Sequence, residues 1–105
     1  MAEPSFLESV ARLKVQEGET SQDEYQLTAR LTEIGKADSC QVRLKGLFAP
    51  KNLAYFSRDP MGYTLIPGDN AGKLRFNGVS IDKGTALKNN EVINSRKVSF
   101  RFLQS

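Results

Sequence analysis

Residues 72–102 read GKLRFNGVSIDKGTALKNNEVINSRKVSFRF, a series of short apolar–polar alternations interrupted by Gly, Asn and Lys corners. Asn77-Gly78 separates two of these alternations. This dipeptide favours a two-residue hairpin, because both central residues of a type I′ turn need positive φ. In the last alternation Val98, Phe100 and Phe102 fall on one face of an extended chain. The stretch therefore predicts short strands with one buried face and one solvent-exposed face.

The same pattern continues toward the amino terminus. From Ala11 to Ile66 short apolar alternations are separated by polar turns at intervals of about ten residues, and no helical period exceeds one turn. The compact apolar run Leu53–Phe56 predicts a central strand. About ten to eleven strands of this kind predict an all-β sandwich of two antiparallel or mixed sheets. We expect residues 11–105 to form this domain and residues 1–10 to be an amino-terminal extension.

Size and charge restrict the class of protein. A chain of 105 residues corresponds to one domain, and its net charge of +3 comes from basic residues interleaved with acidic ones. This balance gives no reason to expect binding to nucleic acid. No apolar run approaches the roughly 18 residues of a membrane span. The single cysteine, Cys40, has no partner for an internal disulfide, which suits a reducing compartment, so we expect a cytoplasmic location.

Catalytic and metal chemistry have little support. The chain contains no histidine, which removes the commonest general base and the commonest transition-metal ligand. One cysteine cannot form a zinc site alone. No nucleophile-elbow, Walker or Rossmann pattern is present. We therefore expect no enzymatic activity, no cofactor and no metal.

Several motifs occur in an order and spacing that is known from one family. They are Ile34-Gly35-Lys36, then Gln41-Val42-Arg43-Leu44 after a polar turn, then Pro50-Lys51-Asn52-Leu53-Ala54, Tyr63-Thr64-Leu65, Asn77-Gly78, and Leu87 to Ile93 before the last strand. Over residues 11–103 the sequence resembles a forkhead-associated (FHA) domain. The resemblance implies a β-sandwich that presents its loops at one end and binds peptides or proteins there.

The positions that hold phosphothreonine in that family carry other residues in this chain. The arginine after the glycine is Lys36, the loop serine is Pro50, and the asparagine before Gly-Thr is Gly72. Lysine keeps the charge but lacks the planar fork of arginine, proline has no hydroxyl, and glycine has no side chain. The histidine that braces the loop is replaced by Leu53, which we expect to brace it by apolar packing. The resemblance thus supports the scaffold more than it supports phosphothreonine recognition.

Polar residues in the loops that this scaffold would gather are the candidates for binding a partner or a phosphate. Four ammonium groups could attract an anion, and three hydroxyl or amide side chains could add hydrogen bonds. The alternative is that the lysines are solvated and the others satisfy their own turns. The candidates are Lys36, Ser39, Lys45, Lys51, Asn52, Asn70 and Lys73.

Apolar residues divide between core and surface. Leu47, Phe48 and Pro50 form an apolar run inside a loop, which is either a docking patch or a cover for one end of the core. Cys40 is expected to be a small buried hydrophobe. The aromatic residues on strands are expected to fill the core: Tyr55, Phe56, Phe76, Phe100 and Phe102.

Three functional hypotheses follow from these residues. The first is a protein–protein interaction module that acts as an adaptor or assembly subunit without needing phosphothreonine. The second is a phosphothreonine-peptide reader that uses Lys36, Lys51 and Asn52 or Asn70 as substitute ligands. The third is a structural subunit that self-associates through an edge strand or the Leu47–Phe48 patch. The sequence leaves the oligomeric state open.

Overall fold

A computed structural model describes residues 10–46, 49–69, 74–95 and 98–104. These residues form eleven strands in two sheets. The six-stranded sheet has the order β2-β1-β11-β10-β7-β8 and the five-stranded sheet the order β4-β3-β5-β6-β9. The strands are β1 Arg12–Glu17, β2 Glu24–Gln26, β3 Leu31–Gly35, β4 Val42–Arg43, β5 Ala54–Asp59, β6 Gly62–Pro67, β7 Arg75–Phe76, β8 Val79–Ser80, β9 Thr85–Ala86, β10 Glu91–Ser95 and β11 Val98–Leu103.

The predicted two-sheet architecture is confirmed. All pairings are antiparallel except that of β3 with β4, which is parallel, so the five-stranded sheet is mixed. Ala54 to Phe56, three residues of the predicted run Leu53–Phe56, lie in β5, the middle strand of that sheet, as its apolar composition predicted. Residues 1–9 lie outside the described residues, so the division into an extension and a domain stays a prediction. Within the described part of the chain, there is no helix with the length and apolarity that a membrane crossing requires.

The Asn77-Gly78 hairpin is also confirmed. Asn77 has φ 52° and Gly78 has φ 86°, and Phe76 pairs with Val79 across the turn. The Asn77 side chain fixes the hairpin to β10, because its oxygen accepts a hydrogen bond from the Val92 amide at 2.9 Å. Val79 is 66% exposed, so the apolar alternation of β8 does not bury this residue.

The core lies between the two sheets. Phe102 of β11 stacks on Phe56 of β5 with ring centroids 6.4 Å apart, and meets Tyr63 of β6 edge-on at 5.3 Å. Phe100 is fully buried and Phe76 packs against the core. The prediction that Tyr55 belongs to the core is wrong. Side chains alternate along β5, so Tyr55 is half-buried on the outer face while Phe56 points inward.

Strand β3 turns Thr32 and Ile34 inward and leaves Leu31 50% exposed. It ends at Gly35, where the neighbouring loop passes very close. A Cβ on Gly35 would lie 2.1 Å from the Lys51 carbonyl oxygen, so only glycine fits there. This close approach brings the loops on either side of β4 together at one end of the sandwich.

Candidate functional site

Three loops meet at the end of the five-stranded sheet where β3 ends and β5 begins. We call the described residues of these loops, 36–41, 44–46 with 49–53, and 68–69, together with the strand residues Glu33 and Arg43 that contact them, the loop end. Their backbones are joined by hydrogen bonds: Lys36 donates to the Pro50 carbonyl at 2.8 Å, Ala37 to that of Lys51 at 3.2 Å, and Gly68 to that of Leu53 at 2.8 Å. The loop end is therefore shaped by main-chain contacts between segments that are distant in sequence.

Glu33 lies beneath these loops on β3 and binds side chains from two of them. One of its carboxylate oxygens accepts a hydrogen bond from the Ser39 hydroxyl at 3.1 Å, and the other accepts one from the Asn52 amide at 2.6 Å. The Asn52 side-chain oxygen in turn accepts a hydrogen bond from the Asp69 amide at 2.8 Å. A half-buried carboxylate thus connects all three loops.

Two of the predicted ligands therefore have structural partners. Ser39 and Asn52 each donate a hydrogen bond to Glu33, and the Asn52 side-chain oxygen also accepts one from the Asp69 amide. Gly68 is close to Asn52, since a Cβ there would lie 2.1 Å from the Asn52 side-chain oxygen. This network could not be predicted from local sequence patterns, because the pairing of Asn52 with Glu33 is a tertiary contact across 19 residues.

The predicted cations are placed as follows. Lys36 is half-buried and Lys51 is exposed, and their backbones lie in neighbouring segments joined by the Lys36–Pro50 hydrogen bond. Lys45 is exposed, and its amide donates at 3.0 Å to the carbonyl of Glu19 in the loop between β1 and β2. This hydrogen bond joins the loop end to the loop that connects β1 and β2 of the six-stranded sheet.

Arg43 belongs to the site but was missing from the predicted set. It pairs with Gly35 in the parallel β3–β4 ladder. Its guanidinium Nε donates to the Lys36 carbonyl at 3.3 Å, and its Nη2 pairs with Asp38. Alternation with the apolar Val42 and Leu44 predicts that Arg43 is solvent-exposed, but only the parallel pairing of β4 with β3 brings it beside Lys36.

Leu53 and Cys40 form the buried floor of the loop end. Leu53 is 1% exposed and belongs to the core, as expected for a residue that braces the loop by apolar packing. Cys40 is buried, as predicted, and its thiol lies 3.5 Å from the Lys51 carbonyl oxygen. Burial raises the pKa of the Cys40 thiol above its ordinary value, and the negative charge of Glu33 raises it further.

Four predicted residues, Leu47, Phe48, Asn70 and Lys73, lie outside the described residues. Pro50, the remaining member of the apolar patch, is half-buried, and its carbonyl accepts the Lys36 amide. The proposed roles of these residues stay predictions.

Comparison by sequence finds no matching family model and no matching curated protein. Comparison with solved structures does find matches. The FHA domain of CT664 from Chlamydia trachomatis superposes with a TM-score of 0.81 at 15% identity, covering 92% of this chain and 99% of that one. A structure from an analysis of phosphothreonine-dependent FHA domain interactions gives 0.81 at 18% identity, covering 92% and 98%.

The chain has an FHA-like fold. EmbR of Mycobacterium tuberculosis, solved in complex with a low-affinity phosphopeptide, also superposes on it. Its TM-score is 0.78 at 19% identity, and the match covers 92% of this chain and 25% of EmbR. At these identities the likeness establishes the FHA-like fold, and function has to be argued from the loop end itself.

Proposed function

We propose that this FHA-like domain is a non-catalytic protein–protein interaction module whose loop end binds a peptide segment of a partner without requiring phosphothreonine. The observation that carries the proposal is the carboxylate of Glu33 and its two bonds to the loops. The cytoplasmic location expected from the sequence remains part of this proposal.

Glu33 opposes a phosphate at the loop end in two ways. Its negative charge would repel a phosphate, which carries close to two negative charges at neutral pH. It also engages Ser39 and Asn52, two of the neutral hydrogen-bond donors among the predicted site residues. A phosphate would have to take these donors from a carboxylate that already accepts them.

Pro50 also argues against phosphate binding at the loop end. At this position the chain offers a backbone carbonyl, and that carbonyl already accepts the Lys36 amide at 2.8 Å. Proline has neither a hydroxyl nor an N–H to donate to a phosphate. The loop end keeps a backbone whose segments are joined by hydrogen bonds, while residues at the family's phosphate-binding positions are replaced.

The test is a screen of the domain against two peptide libraries, one with a fixed central threonine and the other with a fixed central phosphothreonine, at low and moderate salt. We expect binders in the threonine library, and no advantage for phosphothreonine that survives moderate salt. Salt-resistant selection of phosphothreonine would overturn the proposal. Absence of binders in both libraries would also count against it.

A phosphopeptide reader is the second candidate, and the cationic residues on adjoining segments of the loop end support it. Arg43 adds a guanidinium beside Lys36, and Lys51 lies on the next segment. EmbR was solved in complex with a low-affinity phosphopeptide, and another superposed structure comes from an analysis of phosphothreonine-dependent FHA domain interactions. If this candidate is right, Lys36→Ala removes the advantage of the phosphothreonine library.

Self-association through a sheet edge has less support. The strands at the edges of the two sheets, as the described residues define them, are β2, β8, β4 and β9. They are three, two, two and two residues long. Such short edges offer few backbone groups to a second copy. Sedimentation that shows a monomer at all concentrations would dispose of this candidate.

A further inference from the structure

We propose that Arg43 is the residue of the loop end that recognises a carboxylate of the partner peptide, and that Asp38 occupies its guanidinium in the free protein. This inference rests on the proposed function. It assigns the anchoring contact to a side chain outside the positions that carry phosphothreonine ligands in the family the sequence resembles.

The position of Arg43 is fixed on both sides of its strand. Its backbone pairs with Gly35 on β3, and its carbonyl accepts the Ser21 amide at 3.2 Å from the β1–β2 loop. The guanidinium is oriented by its own bond, because Nε donates to the Lys36 carbonyl at 3.3 Å. A guanidinium held in this way presents its remaining N–H groups in a defined direction, so less entropy is lost on binding.

Asp38 supplies the anion that the guanidinium now contacts. It lies on the turn in which the Cys40 amide donates to the Ala37 carbonyl at 3.0 Å. Its carboxylate oxygen lies 2.5 Å from Arg43 Nη2. The Asp38 side chain is 93% exposed and that of Arg43 is 47% exposed. Exposed ion pairs of this kind contribute little to stability, so a second carboxylate can replace Asp38 without a large penalty.

A carboxylate is the ligand class that the contact itself indicates. The planar fork of arginine matches the two oxygens of a carboxylate, and one of its nitrogens, Nη2, already contacts a carboxylate oxygen of Asp38. Glu33 lies below the same loops and disfavours a more highly charged phosphate. The expected partner is therefore a peptide with an aspartate or glutamate at the anchoring position.

The chain offers a matched control on the opposite sheet. Arg12 and Glu24 form another exposed ion pair, with an N–O distance of 3.2 Å and side chains that are 48% and 39% exposed. Arg12 is thus as exposed as Arg43, but it joins β1 to β2 and takes no part in the loop end. Variants of this pair therefore show how the loss of a surface charge away from the loop end affects peptide binding.

The experiment measures binding of the intact chain to four peptide libraries with a fixed central glutamate, glutamine, phosphothreonine or threonine. The proteins are the wild type, Asp38→Asn, Arg43→Gln, Arg43→Lys, Arg12→Gln and Glu24→Gln. We expect the wild type to prefer the glutamate library to the glutamine library, and Asp38→Asn to strengthen that preference by about threefold, the range of an exposed ion pair.

Arg43→Gln should abolish the preference for glutamate, and Arg43→Lys should retain only part of it because lysine lacks the fork. Arg12→Gln and Glu24→Gln should leave it unchanged. Binding that shows no preference for glutamate, or an equal loss in Arg12→Gln, would overturn this inference while leaving the proposed function intact. A stronger preference for phosphothreonine overturns both, as does a failure of every protein to bind any library.

Discussion

At the two ends of β3 the adjoining chain segments are held by different kinds of side chain. Near Leu31 the donors are buried: the Arg58 guanidinium donates to the Thr28 carbonyl at 2.7 Å, and the Tyr63 hydroxyl donates to the Leu27 carbonyl at 2.7 Å. Arg58 is 6% exposed and Tyr63 is 3% exposed. We call this region, residues 27–30 and 58–63, the turn end.

At the loop end the central group is an acceptor, and it is only half-buried. Glu33 receives side-chain donors from Ser39 and Asn52, and the charged groups of Arg43 and Asp38 lie at the surface beside it. The turn end therefore uses polar groups to satisfy backbone carbonyls inside the protein. The loop end uses them to shape a solvent-accessible surface. We therefore expect substitutions at the turn end to change stability alone, and substitutions at the loop end to change both stability and peptide binding.

The largest effect should come from the backbone approach that creates the loop end. Gly35→Ala places a Cβ 2.1 Å from the Lys51 carbonyl oxygen, and backbone has to move to relieve the contact. We expect a loss of roughly 3 kcal/mol in the free energy of unfolding, measured by urea denaturation. Gly84→Ala is the control, because its Cβ would make an ordinary contact of 3.5 Å with Thr64 and should change stability by less than about 0.5 kcal/mol. If the two substitutions lowered the free energy of unfolding equally, the backbone contact between Gly35 and Lys51 would not be tight.

The next largest effect should fall at the turn end. Tyr63→Phe removes the hydroxyl that donates to Leu27 and accepts from the Ala11 amide at 3.0 Å, and leaves both buried backbone groups unpaired. We expect a loss of about 2 kcal/mol in unfolding free energy with peptide binding unchanged. Tyr25→Phe, whose hydroxyl accepts only the partly buried Gln22 amide at 2.9 Å among its described bonds, should cost about 1 kcal/mol or less. If Tyr63→Phe impaired binding of the folded protein, the contrast between the two ends would fail.

A smaller stability effect is expected from Glu33→Gln at the loop end. Glutamine keeps one acceptor oxygen but presents an NH2 to the second donor, so one of the bonds from Ser39 and Asn52 is lost. We expect a loss of about 1 kcal/mol by urea denaturation, together with a gain in affinity for phosphorylated peptides. Glu24→Gln, on an exposed ion pair, is the control and should do neither. If Glu33→Gln lowered stability without changing the affinity for phosphorylated peptides, Glu33 would have only a structural role.

The last prediction concerns the chemical reactivity of the Cys40 thiol and involves no change in stability. Burial raises the pKa of the Cys40 thiol, so a smaller fraction is thiolate at neutral pH than in an exposed cysteine. We expect slow modification by a disulfide reagent in the folded protein and faster modification in denaturant. Because the chain has a single cysteine, the signal is unambiguous. Rapid reaction of the folded protein at neutral pH would show that the floor of the loop end opens.

Features that depend on neighbouring residues in the chain were predictable. The Asn77-Gly78 turn follows from its need for two positive φ angles, and β11 follows from strict alternation. In residues 29–36 apolar residues occur on both faces of the alternation, so the sequence could not decide which residues are buried, and the polar Thr32 proved to face the core. Local periodicity describes one strand at a time, and burial also depends on what packs against it.

The loop end was predictable only in part, for the same reason. Lys36, Lys51, Ser39 and Asn52 do come from loops that meet, but the sequence did not reveal that Glu33 binds the last two. Arg43 was overlooked because its place beside Lys36 arises from the parallel pairing of β4 with β3. No local pattern distinguishes that arrangement from an ordinary exposed arginine.

The most direct test of the central claim is calorimetric. The tightest peptide from the threonine library is prepared with and without phosphate, and the ratio of its two dissociation constants is measured in moderate salt for the wild type and Glu33→Gln. We predict a wild-type ratio that shows no preference for phosphate, and a shift toward the phosphorylated peptide in Glu33→Gln. A clear preference of the wild type for the phosphorylated peptide, lost in Lys36→Ala, would contradict the account.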